Sequence, residues 1–170
     1  IGWTLAYDFI DGVELGSIVN TGSGAWLGPA YTYYSFVPPT LLTGVQQTLS
    51  ITSGGAEGDS YSAWLDLNAD NDFDDANELL GWVGIPNAYT TVPLPFTVPV
   101  GTAPGPKALR VRCSTAPISD ACATVLHGET EDYTVVVEVN TGLAALDGTD
   151  LQVLPTTDGV QLRCAAAAIG

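Results

Sequence analysis

Glycine and proline interrupt this chain throughout, and their spacing limits how long any regular element can be. There are 19 glycines and 11 prolines among 170 residues, and the runs between them are rich in β-branched and aromatic residues. Such runs predict an all-β chain, an antiparallel β-sandwich of the jelly-roll or immunoglobulin-like kind. Pro93, Pro95 and Pro99 fit edge strands and turns, because proline cannot donate to a central ladder. The predicted strands are residues 3–9, 31–36, 47–52, 61–67, 79–83, 90–98, 108–113 and 133–139, and only 74–80 hints at a helical turn.

The predicted strand 108–113 shows the alternation most clearly. Successive side chains of a strand point to opposite faces of the sheet. Leu109, Val111 and Cys113 therefore share one face, and Arg110 and Arg112 share the other.

The composition changes near residue 140, which predicts a sandwich over 1–139 and a tail over 140–170. Within the tail, 151–154 and 160–164 read as two short strands joined by a turn at 155–159. A lone two-stranded hairpin cannot form a core of its own. The tail is therefore expected to pack on the main domain or to pair with another chain.

Charge and composition exclude several functions. Four basic residues stand against nineteen acidic ones, for a formal net charge of −15, which disfavours nucleic acid and anionic membranes as partners. No apolar run reaches the roughly 18–20 residues of a membrane-spanning helix. The chain has a single histidine and lacks a nucleophile elbow, a phosphate-binding loop and a zinc-type cluster. We therefore expect no catalytic residues and no enzyme activity.

An acidic stretch between two predicted strands is the most informative motif. Side chains that carry oxygen recur at every second position, as in the ligand order of calcium-binding loops. Asn71 stands where an EF-hand has glycine, and asparagine tolerates a left-handed turn. The sequence predicts a Ca²⁺ site with the ligands Asp66, Asn68, Asp70, Asp72, Asp74 and Glu78.

The alternative for this stretch is a solvated acidic turn that binds no ion. Carboxylates so close together repel one another unless a cation neutralises them. We therefore expect that calcium removal loosens the loop and lowers the melting temperature.

A second acidic motif, residues 127–133, leads directly into the last strand of the predicted sandwich. Along an extended chain Glu129 and Glu131 share one face, and Thr130 and Asp132 share the other. We expect the carboxylates of Glu129, Glu131 and Asp132 to pair with the arginines of strand 108–113, or to complete a metal site. A glycosidase carboxylate pair is the less favoured alternative, because it needs a cleft between the two groups.

The three cysteines suggest an oxidising exterior. Cys113 and Cys122 bracket a short polar segment with a proline, which predicts a disulfide-closed loop. Cys164 is left over in the tail, which suggests a free thiol or a bond to another chain.

Four separated motifs, taken in order, resemble the GEVED domain of secreted multidomain proteins from Bacteroidota-type bacteria. They are residues 64–75 with Glu78, then 96–99, 108–113 and 128–135, and the resemblance spans roughly 10–139. Thr130 and Asn71 replace the usual valine and glycine of the family. The resemblance implies a β-sandwich accessory module of the kind attached to peptidases, adhesins and other surface proteins.

The tail resembles the start of a carboxy-terminal sorting domain of the type IX secretion pathway. The resemblance lies in residues 151–155 and 158–162, with a departure at Thr156 and Thr157. It implies export to the extracellular space or the cell surface.

These features lead to two classes of function. The first is a non-catalytic, calcium-stabilised extracellular module for adhesion or surface-structure assembly, including a filament of identical subunits built by strand exchange. Residues 1–10 and the hairpin 151–164 are the candidate donor strands, and other surface proteins are alternative partners. The second class is a carbohydrate-binding accessory module of a secreted enzyme, with glycans stacking on Trp26, Tyr31, Tyr33 and Tyr34.

Overall fold

The computed structural model describes residues 8–24, 30–141, 151–156 and 159–164. Every regular element in these ranges is a β-strand. Residue contacts divide the chain into two compact units, Ile1–Asn140 and Thr141–Gly170. The first unit contains β1 (Ile10–Leu15), β2 (Ile18–Thr21), β3 (Tyr31–Tyr33), β4 (Thr40–Leu42), β5 (Gln46–Ser53), β6 (Asp59–Leu65), β7 (Leu79–Ile85), β8 (Thr91–Thr97), β9 (Gly105–Ser114) and β10 (Thr130–Glu138).

The first unit is a β-sandwich, and its smaller sheet is antiparallel. The strand order in this four-stranded sheet is β2-β1-β5-β8. Pro93 and Pro95 lie in β8, opposite Ser50 and Thr48 of β5. Since β8 is at the edge of the sheet, its prolines interrupt no central ladder, which confirms their predicted placement.

The larger sheet has six strands and is mixed, so the expectation of purely antiparallel pairing is wrong for part of it. β10, β9, β6 and β7 are antiparallel neighbours, whereas β3 and β4 both pair with β10 in parallel. Pro38 and Pro39 lie between β3 and β4 and have no N–H to donate. The carbonyl of Pro39 still accepts a hydrogen bond from Val136 N at 2.9 Å. The segment therefore follows β10 as an interrupted strand.

The two sheets enclose one apolar core. In β9 the side chains of Leu109, Val111 and Cys113 are fully buried in this core. Arg110 and Arg112 lie on the opposite, outer face of the larger sheet, where they contact the chain that covers it. The alternation predicted for this strand is confirmed.

A smaller apolar cluster lies on the outer face of the larger sheet. It consists of Trp64, Phe73 and Ala121. Trp64 belongs to β6, where it alternates with Ala63 and Leu65 of the main core. Phe73 and Ala121 belong to two loops, so Trp64 fastens both loops to the sheet.

Most predicted strands coincide at least in part with strands of the structure, but three short strands, β1, β2 and β4, are not predicted. The strand predicted over 3–9 falls largely outside the described residues, and residues 8 and 9 are not in a strand. No helical turn forms over 74–80, because residues 76–77 make a turn and β7 begins at Leu79.

The second unit contains β11 (Leu151–Thr156) and β12 (Gly159–Cys164). They pair antiparallel, with Leu151 opposite Cys164, which confirms the predicted hairpin. Across the described ranges, no helix is long and apolar enough to cross a membrane.

Candidate metal loop and acidic motif

The acidic loop, residues 66–78, connects β6 to β7 and begins at a buried carboxylate. Asp66 is only 3% exposed. Its two oxygens accept hydrogen bonds from Ala69 N at 2.6 Å and Asn71 N at 3.1 Å. Ala69 and Asn71 have positive φ values of 65° and 76°. The left-handed turn predicted at Asn71 is thus present, and Asp66 stabilises it.

Glu78 closes the other end of the acidic loop. Its carboxylate accepts hydrogen bonds from Leu67 N at 2.7 Å and Asp75 N at 3.3 Å, and its carbonyl accepts one from Leu65 N at 2.9 Å. The side chain is fully buried, and this burial raises the pKa of Glu78. Glu78 therefore holds the ends of the loop together through main-chain contacts.

The middle of the loop folds by side chains that accept from amides two residues further on. Asn68 accepts from Asp70 N at 3.0 Å, and Asp70 accepts from Asp72 N at 3.2 Å. Asp72 in turn accepts from Asp74 N at 3.1 Å. These are Asx turns, which asparagine and aspartate favour, and they explain why an oxygen-bearing residue recurs at every second position.

Three exposed carboxylates converge at this part of the loop. Oxygens of Asp70, Asp72 and Asp75 lie within 4.8 Å of one another. Asn68 bridges two of them, since its amide nitrogen donates to Asp75 and, at 2.8 Å, to Asp70. A hydrogen bond with Asp72, together with the charge of that carboxylate, raises the pKa of Asp74. Three carboxylates at this separation can share one cation.

The structure brings together only part of the predicted ligand set. Asp70 and Asp72 are in the cluster of carboxylates, with Asn68 beside them, whereas Asp66 and Glu78 bind the loop backbone. Asp75 joins the cluster but was not predicted, because it breaks the alternation of oxygen-bearing positions. The local signal for it is its place next to Asp74 in an otherwise regular series.

Arg110 connects the acidic loop to the second acidic motif. Its guanidinium lies over the ring of Phe73, 4.7 Å from the centroid. The same guanidinium binds both oxygens of Asp132 at 2.8 Å, with Nε on one oxygen and a terminal nitrogen on the other. Beside this ion pair, Arg112 Nε donates to the hydroxyl of Thr130 at 3.1 Å. Asp132, on the outward face of the second acidic motif, thus holds Arg110 in place over Phe73 of the acidic loop.

Glu129 and Glu131 do not pair with the arginines, contrary to expectation. They lie on the inward face of the motif strand and are 1% and 0% exposed. One Glu129 oxygen accepts from Ile10 N at 3.0 Å, and one Glu131 oxygen accepts from the Tyr133 hydroxyl at 2.5 Å. The second oxygen of each glutamate is buried and has no hydrogen-bond partner among the described residues. Burial raises the pKa of Glu129 to about 7 and that of Glu131 to about 8.

Part of the chain that includes these two motifs matches a model of a known protein family. Residues 60–136 match the family model of the GEVED domain. This segment of the chain is similar to a GEVED domain. A search of curated proteins finds no match to the chain.

The segment that matches the GEVED model contains most of the residues that form the acidic loop and the second acidic motif. It runs from β6 into β10 and includes the acidic loop, Arg110 and the motif strand. The smaller sheet takes only β8 from it, since β1, β2 and β5 precede residue 60. The Ile10 amide that binds Glu129 therefore comes from outside the matched segment.

The predicted disulfide between Cys113 and Cys122 is absent, because the two cysteines lie on opposite faces of the larger sheet. Cys113 points into the core, and its thiol donates to Asp59 at 3.5 Å. Cys122 is exposed on the covering loop of the outer face, 3.7 Å from a terminal nitrogen of Arg110. Both thiols are free, and burial raises the pKa of the Cys113 thiol.

The aromatic residues proposed to bind glycans divide into two groups. Tyr31 and Tyr33 are exposed on β3, by 49% and 54%. Tyr34 packs against the core and stacks on Tyr133 with ring centroids 5.6 Å apart. Trp26 lies outside the described residues.

Proposed function

We propose that this chain is a non-catalytic, calcium-stabilised module of the cell exterior that serves adhesion or the assembly of a surface structure. The observation that supports this most strongly is the convergence of Asp70, Asp72 and Asp75 in the acidic loop of a GEVED domain. The resemblance of the tail to a sorting signal supports an extracellular location.

The donor set of the loop favours a hard cation. Carboxylate and amide oxygens are ligands of Ca²⁺, which takes six to eight oxygens in flexible geometry. The three carboxylates supply up to about half of that number, and water would supply the rest. An exposed, partly hydrated site of this kind binds weakly, with Kd on the order of 10⁻⁴–10⁻³ M as in extracellular modules.

Calcium is expected to raise the melting temperature. At about one hundred times Kd a ligand adds about 2.7 kcal/mol to the free energy of unfolding, which is a rise of roughly 5–10 °C for a domain of this size. The measurement is a melting curve at about one hundred times Kd, roughly 10–100 mM Ca²⁺, and in excess chelator. In the double variant Asp70→Asn/Asp75→Asn the calcium response should vanish. The same variant should melt higher than the parent in chelator, because it lacks the carboxylate repulsion.

The matched control is Glu14→Gln/Glu57→Gln, which removes two exposed charges elsewhere in the sandwich. It should keep the full calcium response. If the parent melts at the same temperature with calcium and with chelator, the acidic loop is only a solvated turn.

Assembly by strand exchange needs an acceptor edge, and β7 supplies one. Among the described strands β7 pairs only with β6, and it has no charged residue. Leu79 and Trp82 of this strand are 38% and 53% exposed. Uncharged, apolar edges are templates for pairing with another strand, whereas the prolines of β8 protect the opposite sheet. The acidic loop ends at Glu78, directly before β7 begins at Leu79, so calcium bound in the loop would also order this edge strand.

We expect Trp82→Lys to reduce self-association of the calcium-loaded protein. A lysine on an edge strand opposes the approach of a second strand. Light scattering over a range of concentrations, with negative-stain images of the same samples, would measure the effect. Tyr89→Lys is the control, since Tyr89 is equally exposed but lies outside the strands. A parent protein that stays monomeric at high concentration with calcium would contradict assembly through this edge.

A further inference from the structure

A pocket of about 520 Å³ opens on the outer face of the larger sheet. Its floor includes Arg110 and Arg112 of β9 and Thr130 of β10, and its walls include Tyr31 and Val125. Pockets of this volume are the size of small-molecule sites. None of the three carboxylates of the acidic loop lines this pocket, and the proposed calcium site does not use it.

The pocket concentrates positive charge on a very acidic protein. The chain has only four basic residues against nineteen acidic ones, and two of the four line this one pocket. Asp132 neutralises Arg110 through two hydrogen bonds. Arg112 has no carboxylate partner among the described residues.

Arg112 is 4% exposed, yet every group it binds is neutral. Besides Thr130, it donates to the carbonyls of Asp120, Ala121 and Ala123 at 2.8–3.3 Å. A buried charge without a counter-ion is costly. Burial and then the nearby charge of Arg110 lower the pKa of Arg112.

Both guanidinium groups keep a donor for a ligand. The Nη2 nitrogen of Arg112 carries two hydrogens and donates one, to Ala123 O at 2.8 Å. The corresponding nitrogen of Arg110 donates one, to Asp132 at 2.8 Å. Each nitrogen therefore has one N–H without an acceptor among the described residues, and two guanidinium N–H groups are suited to a carboxylate.

The wall of the pocket suits a flat, ring-shaped body. Tyr31 is 49% exposed, and its hydroxyl is fixed by Asp132 at 3.1 Å. A tyrosine held in this way offers a rigid, amphipathic surface at low entropic cost. The pocket lies on the face of the sheet and not at a free strand edge. A peptide therefore cannot bind there by adding a strand to the sheet, whereas a compact ring does not depend on such pairing.

We propose that this pocket binds an acidic sugar, with the carboxylate of a uronic acid against Arg112 and Arg110 and the sugar ring against Tyr31. The ligand supplies the missing counter-charge, and the hydroxyl of Thr130 is available to the sugar. The proposal goes beyond the function proposed above and does not depend on calcium at the acidic loop.

The test is calorimetric titration with oligosaccharides of galacturonic, glucuronic and mannuronic acid, in calcium and in chelator. At least one of them should bind, and its methyl ester should bind about tenfold more weakly or worse, because the ester lacks the charge. Tyr31→Ala should weaken binding about tenfold. Tyr33→Ala is the matched control: it is 54% exposed on the same strand and lies outside the pocket.

A second pair of variants separates charge from shape. Val125→Glu places a carboxylate in the pocket and should abolish binding, whereas Val125→Gln, of similar size, should keep most of it. Cys122 also lines the pocket and is exposed. In a Cys164→Ser background, bound sugar should slow the reaction of the Cys122 thiol with a thiol reagent.

Three results would overturn the proposal. One is the absence of binding by every uronic acid tested at millimolar concentration. Another is equal binding of the acid and its ester, or equal losses in Tyr31→Ala and Tyr33→Ala. The third is binding of a short peptide through its free carboxylate in place of the sugars, which would assign the pocket to a different ligand.

Discussion

Replacing Gly128 with alanine is expected to leave the β-sandwich unfolded under conditions in which the parent protein folds. Gly128 has φ of +134°, and a Cβ built on it would lie 2.0 Å from Cys113 O and 2.9 Å from Cys113 C. These are main-chain atoms of β9, held in place because Cys113 N donates to Glu129 O at 2.9 Å. Neither strand can move away without losing the ladder between β9 and β10. The cost should exceed about 4 kcal/mol, which is exceptional for one substitution.

The chain provides a matched control for this substitution. Gly105 has nearly the same φ, +131°, but a Cβ there would meet no atom within 4 Å. Gly105→Ala therefore introduces the backbone strain alone, about 1–3 kcal/mol. Urea unfolding followed by circular dichroism would compare the two variants. If Gly128→Ala unfolds at the same urea concentration as Gly105→Ala, the contact with Cys113 does not limit this position.

The close approach of Gly128 to Cys113 explains why a glycine precedes Glu129 in the second acidic motif. Because Gly128 has no side chain, the chain can pass directly beside β9. The side chains that follow then point alternately to the inner and the outer face of the sheet, beginning with Glu129 on the inner face. Glu129 and Glu131 are thereby buried, and Asp132 is set beside Arg110. A residue with a side chain at this position would displace all three carboxylates.

Local patterns predicted the faces of the strands correctly, because side-chain alternation is a property of the chain itself. The alternation in β9 is the clearest case, and the turn at Asn71 follows from a local preference in the same way. The β1–β2 hairpin carried a usable signal that was missed. Gly16 and Ser17 separate Leu15 from its partner Ile18, and Gly16 has φ of 56°; such a pair is a two-residue hairpin signal.

Relations between distant segments could not be predicted from local patterns. The parallel pairing of β3 with β10 joins residues about a hundred positions apart, and no local pattern encodes its direction. The disulfide prediction assumed that Cys113 and Cys122 could approach, but strand alternation turns Cys113 into the core. Applied to Cys113 itself, the same alternation rule would have argued against the bond.

Stability is expected to fall as the pH rises from acid to slightly alkaline, because two glutamates are buried. Burial raises the pKa from 4.5 to about 7 for Glu129 and to about 8 for Glu131. In this range the folded protein keeps protons that the unfolded chain has lost. The stabilisation is complete below pH 4.5, decreases as the pH rises and is lost by about pH 8. Each pKa unit corresponds to about 1.4 kcal/mol, so the total change is several kcal/mol.

Glu131→Gln should remove most of this dependence, because the amide is neutral at every pH and its oxygen can still accept from the Tyr133 hydroxyl. The variant should be more stable than the parent at pH 8 and similar to it at pH 4.5, as measured by urea unfolding at fixed calcium concentration. Glu138→Gln is the control for net charge, since Glu138 lies on the same strand but is exposed. If both variants flatten the profile equally, general repulsion within an acidic protein causes the dependence. A parent whose stability instead rises between pH 5 and 8 would show that both buried glutamates are already ionised and satisfied in the fold.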